Sequence, residues 1–347
     1  MTSYILEQLS GNVLLVGGYG VGNVGDEAIL TGLLKDSSNN IDEITVVTHD
    51  ERETEALHRG EPPETTTLNA IEPSPAKLGK ELFRNDHFVF GGGGLFSHYM
   101  GPYAKKIPYY AMAAKTLGKS IHWTAIGVYS STPEITKKAL KFAMNQSDTV
   151  SVRDPISKAV LSDTGVCQVT LVDDPATKLQ PDRKWGEKSL YDHGIDPEED
   201  IFAIAARRVK DKDLNEQLWR TYRYISHKAK DLGYKVVFIP FCRHSYESLG
   251  MDHRTCESLS SSVGDAPVIS YNHPNEALSI VSAMDGILAT RLHSMIFAYV
   301  SSTPFVAIEY ADKVTSLLKH YGKETHGVPL KDANSTVVEE TVDDLIF

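Results

Sequence analysis

The amino-acid sequence predicts an α/β protein of two Rossmann-like domains whose mainly parallel sheets face a central cleft. Three observations carry this expectation. The chain has 347 residues, more than one ordinary domain of roughly 100–200 residues. Short apolar runs alternate with longer stretches of helical periodicity, which is the pattern of strand–helix units around a parallel sheet. The pattern also stops at PDRKWGEKSLYDHGIDPEED, residues 181–200, a polar segment with prolines at both ends of its span, and then restarts. The expected division is a first domain over 1–180, a crossover at 181–200, a second domain over 201–325 and a polar extension over 326–347, solvated or packed back across the first domain.

In the first half, strands are expected at 12–17, 43–48, 87–90, 120–126, 149–152 and 168–172. Helices are expected after Gly25, across 102–117, across 133–145 and from 154 to 163. The second half reads as strands at 201–206, 235–241, 268–271, 286–289 and 304–309, with helices at 211–232, 275–284, 292–301 and 312–321. In open α/β sheets ligands bind beyond the carboxyl ends of the strands, so functional residues belong there.

Bulk composition narrows the function. The formal net charge of -11 argues against general nucleic-acid binding, which needs clustered Lys and Arg. Any anion site must be a local concentration of positive charge. Cys167, Cys242 and Cys256 are scattered and form no CxxC pair, so no disulfide framework and no thiolate metal site is indicated. The sequence has no apolar run of about 18 residues and no basic stretch ahead of its first apolar segment, which leads to the expectation of a cytoplasmic, soluble protein.

Two glycine loops follow strands. In the first, Gly20, Gly22 and Gly25 fit GxGxxG and open a helix, the form of a dinucleotide fingerprint. Asp26 and Glu27 in the first helical turn cap a helix well but would repel a pyrophosphate there. With Asn23 at the tip, able to donate and accept, a small polar ligand or sugar hydroxyl is the better guest. A helix cap with permissive glycines is the plain alternative. The second loop, Gly91–Gly94, ends an apolar strand; such a run is unfavourable in regular structure and is expected to serve close approach by a ligand or the opposing domain, with Ser97 and His98 as polar contacts.

Basic groups gather just past predicted strands, in SVRD around Arg153, AARR around Arg207 and Arg208, and ATRLHS around Arg291 and His293. Arginine captures phosphate and carboxylate bidentately. Positive charge at the start of the apolar helix MIFAYV opposes the helix dipole, a conflict resolved by an anion at that place. Arg153 has a local ion pair with Asp154 as its plain reading, and His293 that of a half-buried cap histidine. Neighbours alternate sides along a strand, so only one of Arg207 and Arg208 faces the ligand, and Arg207 is preferred.

Taken in order, GYGVGNVGDEAIL, FGGGGLFSH, SVRD, VDDPA, ATRLHS and EYADKV resemble the motifs of the polysaccharide pyruvyl transferase family, from about Val13 to Leu318. The resemblance implies a fold similar to the GT-B glycosyltransferases, phosphoenolpyruvate as donor and a saccharide acceptor, free or lipid-linked, in cell-wall or exopolysaccharide synthesis. Carried onto this chain, Arg153, Arg291, Leu292 (through its backbone) and His293 line the donor site, joined by Arg207 on the strand-end argument. Candidates for proton transfer are His293, His98 and His122 as donors and Asp26, Glu27, Asp173 or Asp174 as acceptors. The loop or acceptor edge takes Gly20, Asn23, Gly25, Gly92, Gly93 and Gly94. No cofactor or metal is called for, because arginine can neutralise the donor's charge. A homo-oligomer is compatible with the sequence. The competing readings are a nucleotide-sugar glycosyltransferase of the same architecture, an anion or sugar binding module without turnover and, last, a nicotinamide dehydrogenase.

Overall fold

Apolar runs buried on both faces make parallel strands, and β1 (Gly11–Tyr19) is one: Val13 and Leu15 enter one core layer while Leu14 and Val16 enter the layer on the opposite face. The computed structural model describes residues 4–97, 101, 103–243 and 248–347. The chain divides into two units. The first runs to Lys178 apart from Gly22–Gly25, and those four residues belong to the second unit with Leu179–Phe347.

In the first unit, β1 is followed by α1 (Val24–Lys35), β2 (Ile41–Thr48), α2 (Glu51–His58), β3 (Thr67–Ile71), α3 (Pro75–Arg84) and β4 (His87–Phe96). Then come α4 (Ile107–Thr116), β5 (Ser120–Val128), α5 (Glu134–Met144), β6 (Thr149–Val152), α6 (Pro155–Thr164) and β7 (Val169–Leu171). The described residues form a seven-stranded sheet, ordered β3-β2-β1-β4-β5-β6-β7 and parallel throughout. Trp123 stacks on Phe90 at 4.1 Å between ring centres in one core layer. The hydrophobic pattern did not announce α2, β3 or α3. Charged residues fill α2, and β3 is an edge strand buried fully only at Ala70. The helix expected over 102–117 is regular only from Ile107; residue 102 lies outside the described residues.

The second unit holds α7 (Arg183–Asp192), β8 (Ile201–Ala205), α8 (Lys212–Asp231), β9 (Lys235–Phe238), α9 (Asp252–Ser262) and α10 (Pro274–Ser282). It continues with β10 (Gly286–Ala289), α11 (Leu292–Ser301), β11 (Phe305–Glu309), α12 (Asp312–His320), β12 (Gly327–Pro329) and α13 (Ser335–Leu345). Its described sheet runs β12-β11-β10-β8-β9, again parallel. Helix α8 presents Leu218, Tyr222, Ile225 and Ala229, at spacings of four and three, to the core.

Three expectations change here. The crossover contains a helix, α7, whose first turn is capped by the Asp182 carboxylate accepting from the Trp185 N–H at 3.1 Å. The strand expected at 268–271 is reduced to a single bridge between Val268 and Phe238. The extension is part of the second unit: β12 pairs with β11, and Val338 and Val342 of α13 enter the core, with Lys228 of α8 bridging Glu339 and Asp343. Its apolar residues recur four apart among acids, so the acidic face hid the buried one. Among the described residues no helix is long and apolar enough to cross a membrane.

His122 lies near the amino end of β5, away from the strand ends where the glycine loops begin. It is 5% exposed, its Nδ1 meets the Thr149 hydroxyl at 3.0 Å and its Nε2 meets His87 at 3.3 Å. Burial, reinforced by His87, pushes its pKa down to about 4. The native ring is therefore neutral where an unfolded His122 would bind a proton, so stability is complete above about pH 6.5 and falls as the pH drops toward 4. The loss from this group reaches about 3 kcal/mol. Urea unfolding across that window is expected to show His122→Gln with a flatter pH dependence than the parent.

Candidate functional site

Register in the second sheet gathers the basic residues. Ala289 of β10 pairs with Ala205 of β8 and Ala307 of β11, so Arg291, Arg207 and Tyr310 emerge side by side, on strands spaced by about 4.8 Å. Arg291 is held in place. Its Nε and Nη2 donate to the two carboxylate oxygens of Asp252 at 2.8 and 2.5 Å, and Nη2 also donates to the Leu249 carbonyl at 2.8 Å. Burial pushes the Asp252 carboxyl up, and Arg291 only partly offsets it. Burial disfavours the Arg291 charge in turn, but Asp252 more than restores it, leaving the guanidinium above its ordinary value.

Arg207 and Lys313 complete the cluster. The Arg207 guanidinium lies 3.9 Å from the centre of the Tyr310 ring, and the Lys313 ammonium lies 5.3 Å from it. Burial first, and the neighbouring Arg291 second, hold Arg207 below its ordinary value. Arg208, beyond the end of β8 like Arg207, turns toward Trp219. Asp252 binds Arg291 and also favours the charge on Arg207, and Arg207, Arg291, Tyr310 and Lys313 all remain partly exposed. Such a patch suits an anion with at least two negative charges.

Helix α11 adds its amino end to this arrangement. Leu292 is buried, so only its backbone can serve a ligand. The Ser294 hydroxyl accepts from the Arg291 N–H at 3.3 Å and donates to the Arg291 carbonyl at 2.7 Å, which fixes the first turn. His293, 8% exposed, is packed against the first glycine loop: a Cβ on Gly25 would stand 1.8 Å from its Nδ1. Glycine is needed at position 25 for that approach. The same tip pairs with the strand end after β9, where the Arg243 N–H donates to the Gly22 carbonyl at 2.7 Å and the Val24 N–H to the Phe241 carbonyl at 3.2 Å.

The dinucleotide-like loop is occupied by its own chain. The Gly20 N–H donates to Glu27 Oε1 at 2.8 Å, and the Gly25 N–H to Asn23 Oδ1 at 3.2 Å. Asn23 closes a local turn at the tip where the sequence suggested a ligand contact. Glu27 also meets the buried His58 at 2.9 Å, so it anchors the loop to α2. Asp26 is half-buried and stands over Gly18 and Gly93.

The four glycines of the second loop continue β4 to Phe96, with positive φ at Gly92 and Gly93 and a break in register beyond Gly93. Close approach is the reason for them, but the neighbours belong to the first unit itself. A Cβ on Gly92 would strike Ile29 at 2.2 Å, and one on Gly94 would lie 3.2 Å from Arg153 Nη2. Arg153, 1% exposed, donates from Nη1 to Asp174 at 2.7 Å and from Nη2 to the Tyr129 hydroxyl at 3.2 Å. Its contact ion-pair partner is Asp174, twenty-one residues on, while the adjacent Asp154 favours the Arg153 charge from nearby and caps α6 through the Ser157 N–H. Asp173 is exposed, and its carbonyl accepts from the Tyr4 hydroxyl at 2.9 Å. His98 lies outside the described residues, and His122 at the other end of its strand joins none of these groups.

Tyr310, Lys313 and Asp252 escaped the sequence reading. The first two sit just past a predicted strand, within EYADKV, and the strand-end rule applied to the arginines would have found them. Asp252 left no signal, because α9 is mostly polar and was not anticipated. Gly25→Ala is expected to drive His293 from its position and lower stability by about 1–3 kcal/mol. Urea unfolding and the His293 imidazole resonances check this; an unmoved resonance with unchanged stability contradicts the contact.

With this geometry in view, comparison with known proteins is informative. The chain is similar in structure to UDP-GlcNAc 2-epimerase from Methanocaldococcus jannaschii, at 15% identity and TM-score 0.62 over 96% of this chain and 92% of that one. It is similar to ADP-heptose lipopolysaccharide heptosyltransferase II of E. coli, at 12% identity and TM-score 0.54, over 96% and 98% of the two chains. Sucrose-phosphate synthase from Thermosynechococcus elongatus gives 13% identity and TM-score 0.55, over 96% and 90%. At such identities the likeness shows the fold, an α/β architecture with two mainly parallel sheets shared with GT-B glycosyltransferases and epimerases. No curated protein sequence matches the chain. The family model for polysaccharide pyruvyl transferase matches residues 23–312, a span that takes in Arg153, Arg207, Asp252, Arg291, His293 and Tyr310. The chain belongs to the polysaccharide pyruvyl transferase family.

Proposed function

We propose that the protein transfers the enolpyruvyl group of phosphoenolpyruvate to two hydroxyls of a saccharide, forming a pyruvate ketal, with the donor's anionic groups held by the second-unit cluster. The observation that carries this reading is the convergence of Arg207, Arg291 and Lys313 around Tyr310 at adjacent strand ends, with Asp252 holding Arg291. Phosphoenolpyruvate brings a phosphate and a carboxylate, and two arginines and a lysine match that charge without a metal. The amino end of α11, at Leu292 and His293, adds backbone donors and the positive end of a helix dipole.

In this reading the methylene carbon gains a proton as a first hydroxyl oxygen bonds to C2 and releases its own proton. A second hydroxyl then bonds to C2 and loses its proton as the C2–O bond breaks, and phosphate departs with that electron pair and takes the proton up. His293, fixed against Gly25, is assigned proton transfer or the phosphate contact. Family membership supports a saccharide as acceptor.

The test is release of inorganic phosphate from phosphoenolpyruvate in the presence of a saccharide acceptor, run beside release of UDP from UDP-sugars. UDP release without phosphate release would overturn the proposal in favour of glycosyl transfer. Arg207→Met is expected to weaken phosphoenolpyruvate binding by about 10–100-fold, the value of a charge-assisted contact. Calorimetry measures it, with circular dichroism as the check that the fold is unchanged.

A further inference from the structure

Tyr310 occupies an unusual position for a phenol. It directly follows β11, where Arg207 from beyond the end of β8 covers its ring and Lys313 from the first turn of α12 approaches it. Arg291, ahead of α11, adds a third positive charge. Behind them stand Asp252 of α9, committed to Arg291, and the Tyr222 hydroxyl of α8, which donates to the Arg207 carbonyl at 3.4 Å. Glu309, the preceding residue, accepts from the Thr315 hydroxyl. Tyr310 is thus the one phenol placed against all three cations of the cluster among the described residues.

We propose that Tyr310 is the proton-carrying residue of this anion site: the site takes a ligand bearing a dianionic phosphate together with a proton on the Tyr310 oxygen, and the resulting phenol donates to the ligand. The proposal rests on the cluster being the donor site and adds to that reading a residue, a ligand charge state and a proton count. Burial alone would raise the Tyr310 phenol, but Lys313, Arg207 and Arg291 together outweigh it and bring its pKa down to about 8. In the empty site a phenolate therefore answers part of the positive charge once the pH passes about 8. A dianion competes for the same cations and repels the phenolate, so binding must raise the phenol's affinity for its proton. By linkage, apparent affinity for the dianion is unchanged well below about pH 8 and falls above it, approaching tenfold per pH unit.

The experiment is calorimetry of inorganic phosphate and of phosphoenolpyruvate binding to the full chain at about pH 8.5, in two buffers of different ionisation enthalpy. Wild type is expected to take up a fraction of a proton per bound ligand, a fraction that grows as the pH is raised through about 8. Tyr310→Phe, which keeps the ring under Arg207, is expected to bind with no such uptake and with affinity flat across the alkaline range. A second reading needs no variant: adding either anion at that pH should diminish the near-ultraviolet phenolate absorbance of the wild-type protein. Binding without proton uptake, or equal uptake in Tyr310→Phe, overturns the role of Tyr310 while leaving the donor site standing. Failure of both anions to bind the wild type overturns the anion site itself, and the proposal with it.

Discussion

The ion pair between Arg291 and Asp252 is the constraint on which the second unit's site depends. Arg207, Arg291 and Lys313 repel one another, and parallel pairing of β8, β10 and β11 nonetheless forces the first two to neighbouring strand ends. One buried carboxylate, gripping Arg291 through both oxygens, fixes that guanidinium and lowers the cost of the cluster without cancelling its charge. Removing the carboxylate would leave a cationic patch that the fold resists; removing the arginine would leave a buried carboxylate with its main partner gone. The pair also ties α9 to the start of α11, so the placement of His293 and the Leu292 backbone follows from it.

The two glycine loops illustrate a different principle. The first was expected to receive a small polar ligand or serve as a plain helix cap, the second to receive a ligand or the opposing domain, and the contacts seen are with the chain's own groups. Gly20 gives its N–H to Glu27, Gly25 yields space to the His293 ring, and Gly94 lies against Arg153. These contacts account for a glycine fingerprint in which several backbone donors are already engaged. The first loop serves the site indirectly, by seating a histidine.

Much of the fold was legible because parallel strands are uniformly apolar and βα units repeat. Every strand of the first sheet except β3 stood out, and so did the helices that carry a buried stripe. What stayed hidden was amphipathic and short: α2 and α3, polar α9, and α13 with two valines among acids. Of the site, Arg207, Arg291 and His293 were readable from the strand-end rule and from the clash of positive charge with a helix start. Asp252 was not, because a lone carboxylate on an unforeseen helix has no pattern, and the Arg153–Asp174 pair was not, because its partners are far apart in sequence. Tyr310 and Lys313 were in plain view, but a tyrosine announces no charge until its neighbours are known.

The cluster sits in a chain of net charge -11, and that contrast bears on how a ligand arrives. Beyond a Debye length of about 8 Å at physiological ionic strength the surface offers a dianion no attraction. Only inside that radius does the local field reverse and draw it in. Capture is therefore governed by short-range encounter rather than long-range steering. The arrangement filters by charge density: a compact polyanion gains from all three cations at once, while a monoanion gains from fewer of them.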